Sequence, residues 1–131
     1  MKKQAESWLT AAYDDLLVII EILDNDDLTH MVAFHSQQAI EKSLKAVLEE
    51  EESEVPRTHN ILVLREKVEL YITLKIEQEI FDEINELYID SRYPTDLGLL
   101  PNGKPTKKVS QKFNKIANEI YKEIKKYLNN K

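Results

Sequence analysis

Turn-forming residues are almost absent from this chain, and where they occur they crowd together. Of 131 residues, two are glycine and four are proline. Both glycines (Gly98, Gly103) and three of the prolines (Pro94, Pro101, Pro105) fall within residues 90–105. A sandwich or barrel of short strands needs a turn signal about every 8–12 residues, which the rest of this chain does not supply. A hydrophobic fraction of 42% against 32% charged belongs to a folded domain rather than a disordered tail. A chain of 131 residues has room for one such core and not for two. The fold class this predicts is all-α.

Apolar residues at spacings of three and four mark out five helices. Residues 3–23 carry Ala5, Trp8, Leu9, Ala12, Leu16, Ile19, Ile20 and Leu23 on one stripe, which Asp24-Asn25-Asp26-Asp27 ends with residues that prefer caps and turns. A helix over residues 28–50 sets Ala33, Ser36, Gln37, Ile40, Ser43, Leu44, Val47 and Leu48 on one face, with His35, Gln38, Lys42, Lys45 and Glu49 opposite. Gln37 then lies inside the apolar arc, where its amide must find partners or cost about 1–3 kcal/mol. It is expected to tie helices together. Glu49-Glu50-Glu51-Glu52 places acids at the unfavourable end of the helix dipole, and Val55-Pro56 stops the helix.

Thr58 is the expected N-cap of a third helix bearing Ile61, Leu64, Val68 and Tyr71. A fourth, over residues 74–89, shows Ile76, Ile80, Ile84, Leu87 and Tyr88, and a fifth, over residues 106–128, shows Val109, Phe113, Ile116, Ile120, Ile124 and Tyr127. The architecture predicted is one domain over residues 1–131, a single up-and-down bundle of about five helices. Residues 90–105 form a long loop of the kind that often carries function.

Charge is segregated along the chain. Residues 1–103 hold 9 basic and 22 acidic side chains, a net of −13, whereas residues 104–131 hold 9 lysines against Glu119 and Glu123, a net of +7. The last helix therefore presents either a solvated lysine face or a footprint for phosphate or an acidic partner. The overall net charge of −6 argues against general nucleic-acid affinity, which needs many phosphate contacts. The absence of cysteine excludes disulfides, thiolate metal sites and a cysteine nucleophile. The longest apolar run, Leu16 to Ile20, is far short of the roughly 20 residues that cross a bilayer. The N-terminus has no signal-peptide pattern, so a cytoplasmic protein with no membrane association is expected.

Phe34-His35-Ser36-Gln37-Gln38-Ala39-Ile40-Glu41-Lys42-Ser43-Leu44-Lys45-Ala46 resembles the second-helix signature of the HEPN family. Three further pieces match it in order and spacing: Ala5-Glu6-Ser7-Trp8-Leu9 with Asp14-Asp15-Leu16, then Thr58-His59-Asn60-Ile61, then Tyr88 followed by Ser91-Arg92-Tyr93-Pro94. The resemblance implies a five-helix bundle commonly paired into a homodimer, nucleotide binding, and partnership with a minimal nucleotidyltransferase in a toxin–antitoxin-type system. Many members are metal-independent ribonucleases with an Arg, four to six intervening residues and a His. Here Arg92 is followed at those distances by Leu97, Gly98 and Leu99, and neither Arg57 nor Arg65 has a histidine at that spacing. The nuclease motif is missing, and an enzyme is not the expected reading.

The candidate ligand-binding residues are Gln38, Lys42, Lys45, His59, Arg92 and Tyr93. Lys42 and Lys45 share a face with His35 and Gln38, as a phosphate-facing stripe or as an exposed face with pairs such as Glu41–Lys45. Arg92 suits a bidentate phosphate clamp or the carbonyls that end the fourth helix; Tyr93 suits base stacking or a loop anchor. A rearranged metal-independent ribonuclease would need a base and a cation, for which His59 and Arg92 are the weak candidates. A third reading is a purely structural, dimerising bundle. Asp27 and His30 have the spacing of a carboxylate–histidine iron pair, but one copy at a helix start does not make such a site. No metal, cofactor, Gly-rich phosphate loop or Ser-centred elbow is expected.

Overall fold

The computed structural model describes residues 1–92 and 104–131, with side chains described through residue 86 and again from residue 104. Its elements are α1 (Lys3–Ile22), one 3-10 turn (Asp26–Leu28), α2 (Thr29–Glu51), α3 (Ile61–Val68), α4 (Gln78–Arg92) and α5 (Lys107–Asn129). All regular structure among the described residues is helical, as the scarcity of turn residues requires. None of these helices is long and apolar enough to cross a membrane.

The four long helices alternate in direction. Trp8 of α1 bonds Glu49 near the end of α2, while Asp15 meets Lys42, so α1 and α2 run antiparallel. Glu83 of α4 pairs with Lys112 of α5. The short α3 departs from strict up-and-down order. Gln37 and Glu41 of α2 bond His59, whereas Glu52 bonds Tyr71 past the end of α3. Residues 53–60 therefore run back along α2, and α3 lies roughly parallel to it.

α2 is the central element, packing on α1, α3, α4 and α5. The face predicted to be apolar is buried throughout, from Ala33 to Leu48. Beyond that face the helix is more covered than its composition suggests: Glu41 at its margin and Lys45, expected on the opposite side, are only 3% and 5% exposed. Around α2 the core gathers Leu9, Ala12, Leu16 and Ile19 from α1, Ile61, Leu64 and Val68 from α3, Phe81 and Ile84 from α4, and Phe113, Ile116, Ile120 and Ile124 from α5. Ile20, expected on the core stripe of α1, is 68% exposed.

The acidic run at the end of α2 would oppose its helix dipole if left alone. It is instead where neighbouring elements attach. Glu49 accepts from the Trp8 indole N–H, Glu50 from the Lys2 backbone N–H, Glu51 from Tyr127 and Lys131, and Glu52 from the Tyr71 hydroxyl. The Lys131 and Tyr127 contacts hold the Glu51 carboxyl below its ordinary value. Burial and the bond to Glu51 push the Tyr127 phenol up, and the bond to Glu52 raises that of Tyr71.

Two expected boundaries move for local reasons. Thr58 is not the cap of α3; Asn60 is, its side-chain oxygen accepting from the N–H groups of Leu62 and Val63. Thr58 instead accepts from the Asn60 N–H, one step outside the helix. α4 begins at Gln78 rather than at residue 74, because the buried Arg65 guanidinium takes the carbonyls of Leu74 and Ile76. The same guanidinium lies 4.3 Å from the centre of the Phe81 ring. It anchors residues 74–77 in a non-helical path. Leu87 and Tyr88, expected on the face of α4, have side chains outside the described residues.

Candidate functional site

Two buried carboxylates organise the polar surface of α2. The first is Asp15 of α1, which is 7% exposed. Positions 8, 12, 15 and 19 share one inward row of α1, so the aspartate enters an otherwise apolar contact with α2. Its Oδ1 lies 2.8 Å from His35 Nδ1 and its Oδ2 accepts from Lys42 Nζ at 2.7 Å. An ionised carboxylate only accepts, so this contact calls for a proton on His35 Nδ1.

Glu41 of α2 is the second. Its Oε2 takes Lys45 Nζ at 3.1 Å and His59 Nδ1 at 3.0 Å, and its Oε1 lies 3.5 Å from Gln37 Nε2. Gln37 donates from the same nitrogen to the His59 carbonyl at 3.0 Å. Gln38 Nε2 donates to Gln37 Oε1 at 3.0 Å. One network thus runs Gln38–Gln37–Glu41 and divides to Lys45 and His59. Gln37, wholly buried, ties α2 to the segment leading into α3, which satisfies the amide that the sequence placed in the apolar arc.

The expected phosphate-facing stripe looks different once these partners are in place. Lys45 is buried, paired with Glu41, and lies 5.4 Å from the centre of the Trp8 ring. Lys42 is paired with Asp15. Both lysines that could have faced a ligand are matched by a carboxylate inside the fold. His59 differs: its side chain is 62% exposed and its ring is oriented by Glu41. The structure brings Gln38, Lys45 and His59 into one network and sets Lys42 in the adjoining one. The side chain of Arg92, together with Tyr93, lies outside the described residues.

Asp15 and Glu41 did not stand out in the sequence as organising groups. For Asp15 the usable signal was its place in the 8, 12, 15, 19 row. For Glu41 it was the spacing of four from the buried Gln37 on one side and from Lys45 on the other.

Elsewhere, a cleft of about 510 Å³ is lined by residues including Leu62, Arg65, Glu69 and Gln78, none of them a candidate. Among the described residues no group of three or more His, Asp or Glu side chains is arranged to hold a metal. At the start of α2, His30 has a buried Nδ1 without a hydrogen-bond partner among the described residues. Burial, and then the charge of Lys104, lower its pKa.

Fold and site together define a helical-bundle domain whose central helix carries a carboxylate-centred polar seam. The chain belongs to the HEPN domain family, whose family model matches residues 5–127. Among solved structures it is similar to the crystal structure of TT1696 from Thermus thermophilus, with 22% sequence identity and a TM-score of 0.73 over 96% of this chain and 99% of that one. At that identity the likeness establishes a shared fold. Comparison with curated proteins gave no match.

Proposed function

We propose that this HEPN domain is a binding and pairing module rather than a nuclease. It works as a homodimer beside a minimal nucleotidyltransferase in a toxin–antitoxin-type pair, and it binds a nucleotide. Supporting the non-nuclease part are the missing histidine after Arg92 and, above all, the pairing of Lys42 with Asp15 and Lys45 with Glu41. A phosphorane needs uncompensated positive charge beside it, and these two lysines already serve internal anions. In this reading Gln38 and the exposed His59 offer hydrogen bonds to the ligand, Lys42 and Lys45 hold that surface in shape, and Arg92 with Tyr93 supplies the phosphate clamp and the stacking ring.

Titration calorimetry with ATP and other nucleotides, on the wild type and on Arg92→Ala and His59→Ala, tests it. Binding heat that falls in both variants supports the assignment. No heat from any nucleotide, together with no nucleotidyltransferase recovered on an affinity column, removes it.

A second reading rests on one observation, the Glu41–His59 contact at 3.0 Å. A carboxylate that holds Nδ1–H leaves the Nε2 lone pair of an exposed imidazole facing outward, the form of a general base. Transfer RNA incubated with wild type and with His59→Ala decides between the two. Cleavage by the wild type alone favours a rearranged ribonuclease; intact RNA in both samples rejects it.

A further inference from the structure

Away from the seam, α1 carries a second apolar stripe that the monomer leaves open. Tyr13, Leu17 and Ile20 follow at helical spacing and are 48%, 42% and 68% exposed. The Tyr13 ring lies 5.9 Å from that of Tyr121 on α5, above a cleft of about 320 Å³ lined by both helices. The stripe therefore runs along the line where α1 meets α5. Contiguous exposed apolar side chains of this kind mark an interaction surface.

What borders the stripe indicates its occupant. Beyond it on α1 stand Asp14 and Glu21, seven residues apart; beyond it on α5 stand Lys115 and Lys122, also seven apart. All four are exposed, and none makes an ion pair among the described residues. Lys107, Lys112 and Lys131 are engaged within the monomer, with Asp26, Glu83 and Glu51, and Lys125 lies over the Tyr121 ring; Lys108 and Lys126 are exposed without an ion pair among the described residues, as Lys115 and Lys122 are. The start of α1 lines a cleft with the end of α5, so the two helices are antiparallel. With Tyr13 beside Tyr121, Asp14 stands level with Ile120 and Glu21 with Phe113, so Lys122 and Lys115 each lie two residues, about 3 Å along the helix axis, from the level of these acids. The stripe has an acidic bank and a basic bank with the same seven-residue spacing.

We propose that a second copy of this chain packs on the stripe, with the two-fold axis parallel to it and α1 of each copy over α5 of the other. The proposal rests on the homodimer reading above and assigns its face. Rotation about an axis along the stripe exchanges the banks, so Asp14 and Glu21 of each copy meet Lys122 and Lys115 of the second copy. An axis lying across the stripe would set acids against acids and lysines against lysines. Heptad-spaced flanking charges select partner orientation in this way in paired helices. The segregation of charge between residues 1–103 and 104–131 then has a structural use.

The chain contains no cysteine, so single replacements report the geometry directly. On an axis along the stripe, Tyr13→Cys, Leu17→Cys and Ile20→Cys each stand level with their own counterpart across the axis. Each is expected to give a covalent dimer on mild oxidation. Cross-linking by Leu17→Cys alone would place the axis across the stripe and overturn the proposal. In light scattering, Ile20→Glu should turn a dimer into a 15.3 kDa particle with unchanged helical circular dichroism. The pair Lys115→Glu and Lys122→Glu should weaken the dimer, and adding Asp14→Lys and Glu21→Lys should restore it. A wild type that is itself monomeric overturns the dimer reading together with this face. A dimer that survives Ile20→Glu and gives no cross-link overturns this face and leaves the dimer reading intact.

Discussion

The seam along α2 and the outer edge of α1 and α5 use charge in opposite ways. On α2, lysines and carboxylates meet under cover: Glu41 and Lys45 are 3% and 5% exposed and 3.1 Å apart. On the outer edge, Asp14, Glu21, Lys115 and Lys122 stand exposed without an ion pair among the described residues. A buried pair fixes the arrangement of the elements that bear it, at a desolvation cost that its own attraction must offset. Exposed unpaired charges add little to folding and remain available to whatever approaches. The comparison separates the charge that shapes this domain from the charge that is left for a partner.

The largest effect that would sharpen the comparison is at Glu41. Replacing it with alanine strands a buried Lys45 and removes the oxygen that orients His59, so urea unfolding should show a loss of about 3–5 kcal/mol. A loss below about 1 kcal/mol would put Lys45 in water and break the contrast. Asp15→Asn comes next. Lys42, at 26% side-chain exposure, is more open than Lys45, so hydration recovers part of the loss, and about 1–3 kcal/mol is expected.

Smaller again is the acid response at the end of α2. Glu51 has its folded pKa below the ordinary 4.5, held there first by Lys131 and then by Tyr127. Its stabilising contribution is therefore complete above 4.5 and is lost as pH falls through the lowered folded value. In Glu51→Gln the decline of stability below pH 4.5 should be shallower than in the wild type. Equal slopes would show that the contact with Lys131 does not persist in solution. Smallest should be Lys112→Gln. It breaks a pair with Glu83 in which both side chains are about half exposed, and unfolding should change by less than about 1 kcal/mol.

Much of the helix order was legible because a burial stripe repeats every three or four residues and helix interiors here lack glycine and proline. The ordered family motifs were legible too, and so was the buried role of Gln37, since its neighbours one turn away are apolar. Other features depended on what crosses from another element. Lys42 reads as a free surface cation until Asp15 arrives from α1, and Lys45 reads as half of an exposed pair until α1 and the segment before α3 cover it. The late start of α4 depends on Arg65 reaching forward to two carbonyls, which no local propensity records. Thr58 and Asn60 are both competent caps, and only the path of the chain decides between them. Ile20 fits the core periodicity of α1 but stands 68% exposed beside the wholly buried Ile19, a difference that only the packing of the neighbouring helices decides.

The contrast between paired and unpaired charge rests most directly on the coupling between Glu41 and Lys45. A double-mutant cycle with Glu41→Gln, Lys45→Met and the two combined measures it by urea unfolding. The account predicts that each single change is costly and that the combined variant recovers much of the loss, with a coupling of at least about 1.5 kcal/mol. Strictly additive effects, with a coupling within about 0.3 kcal/mol of zero, would contradict it.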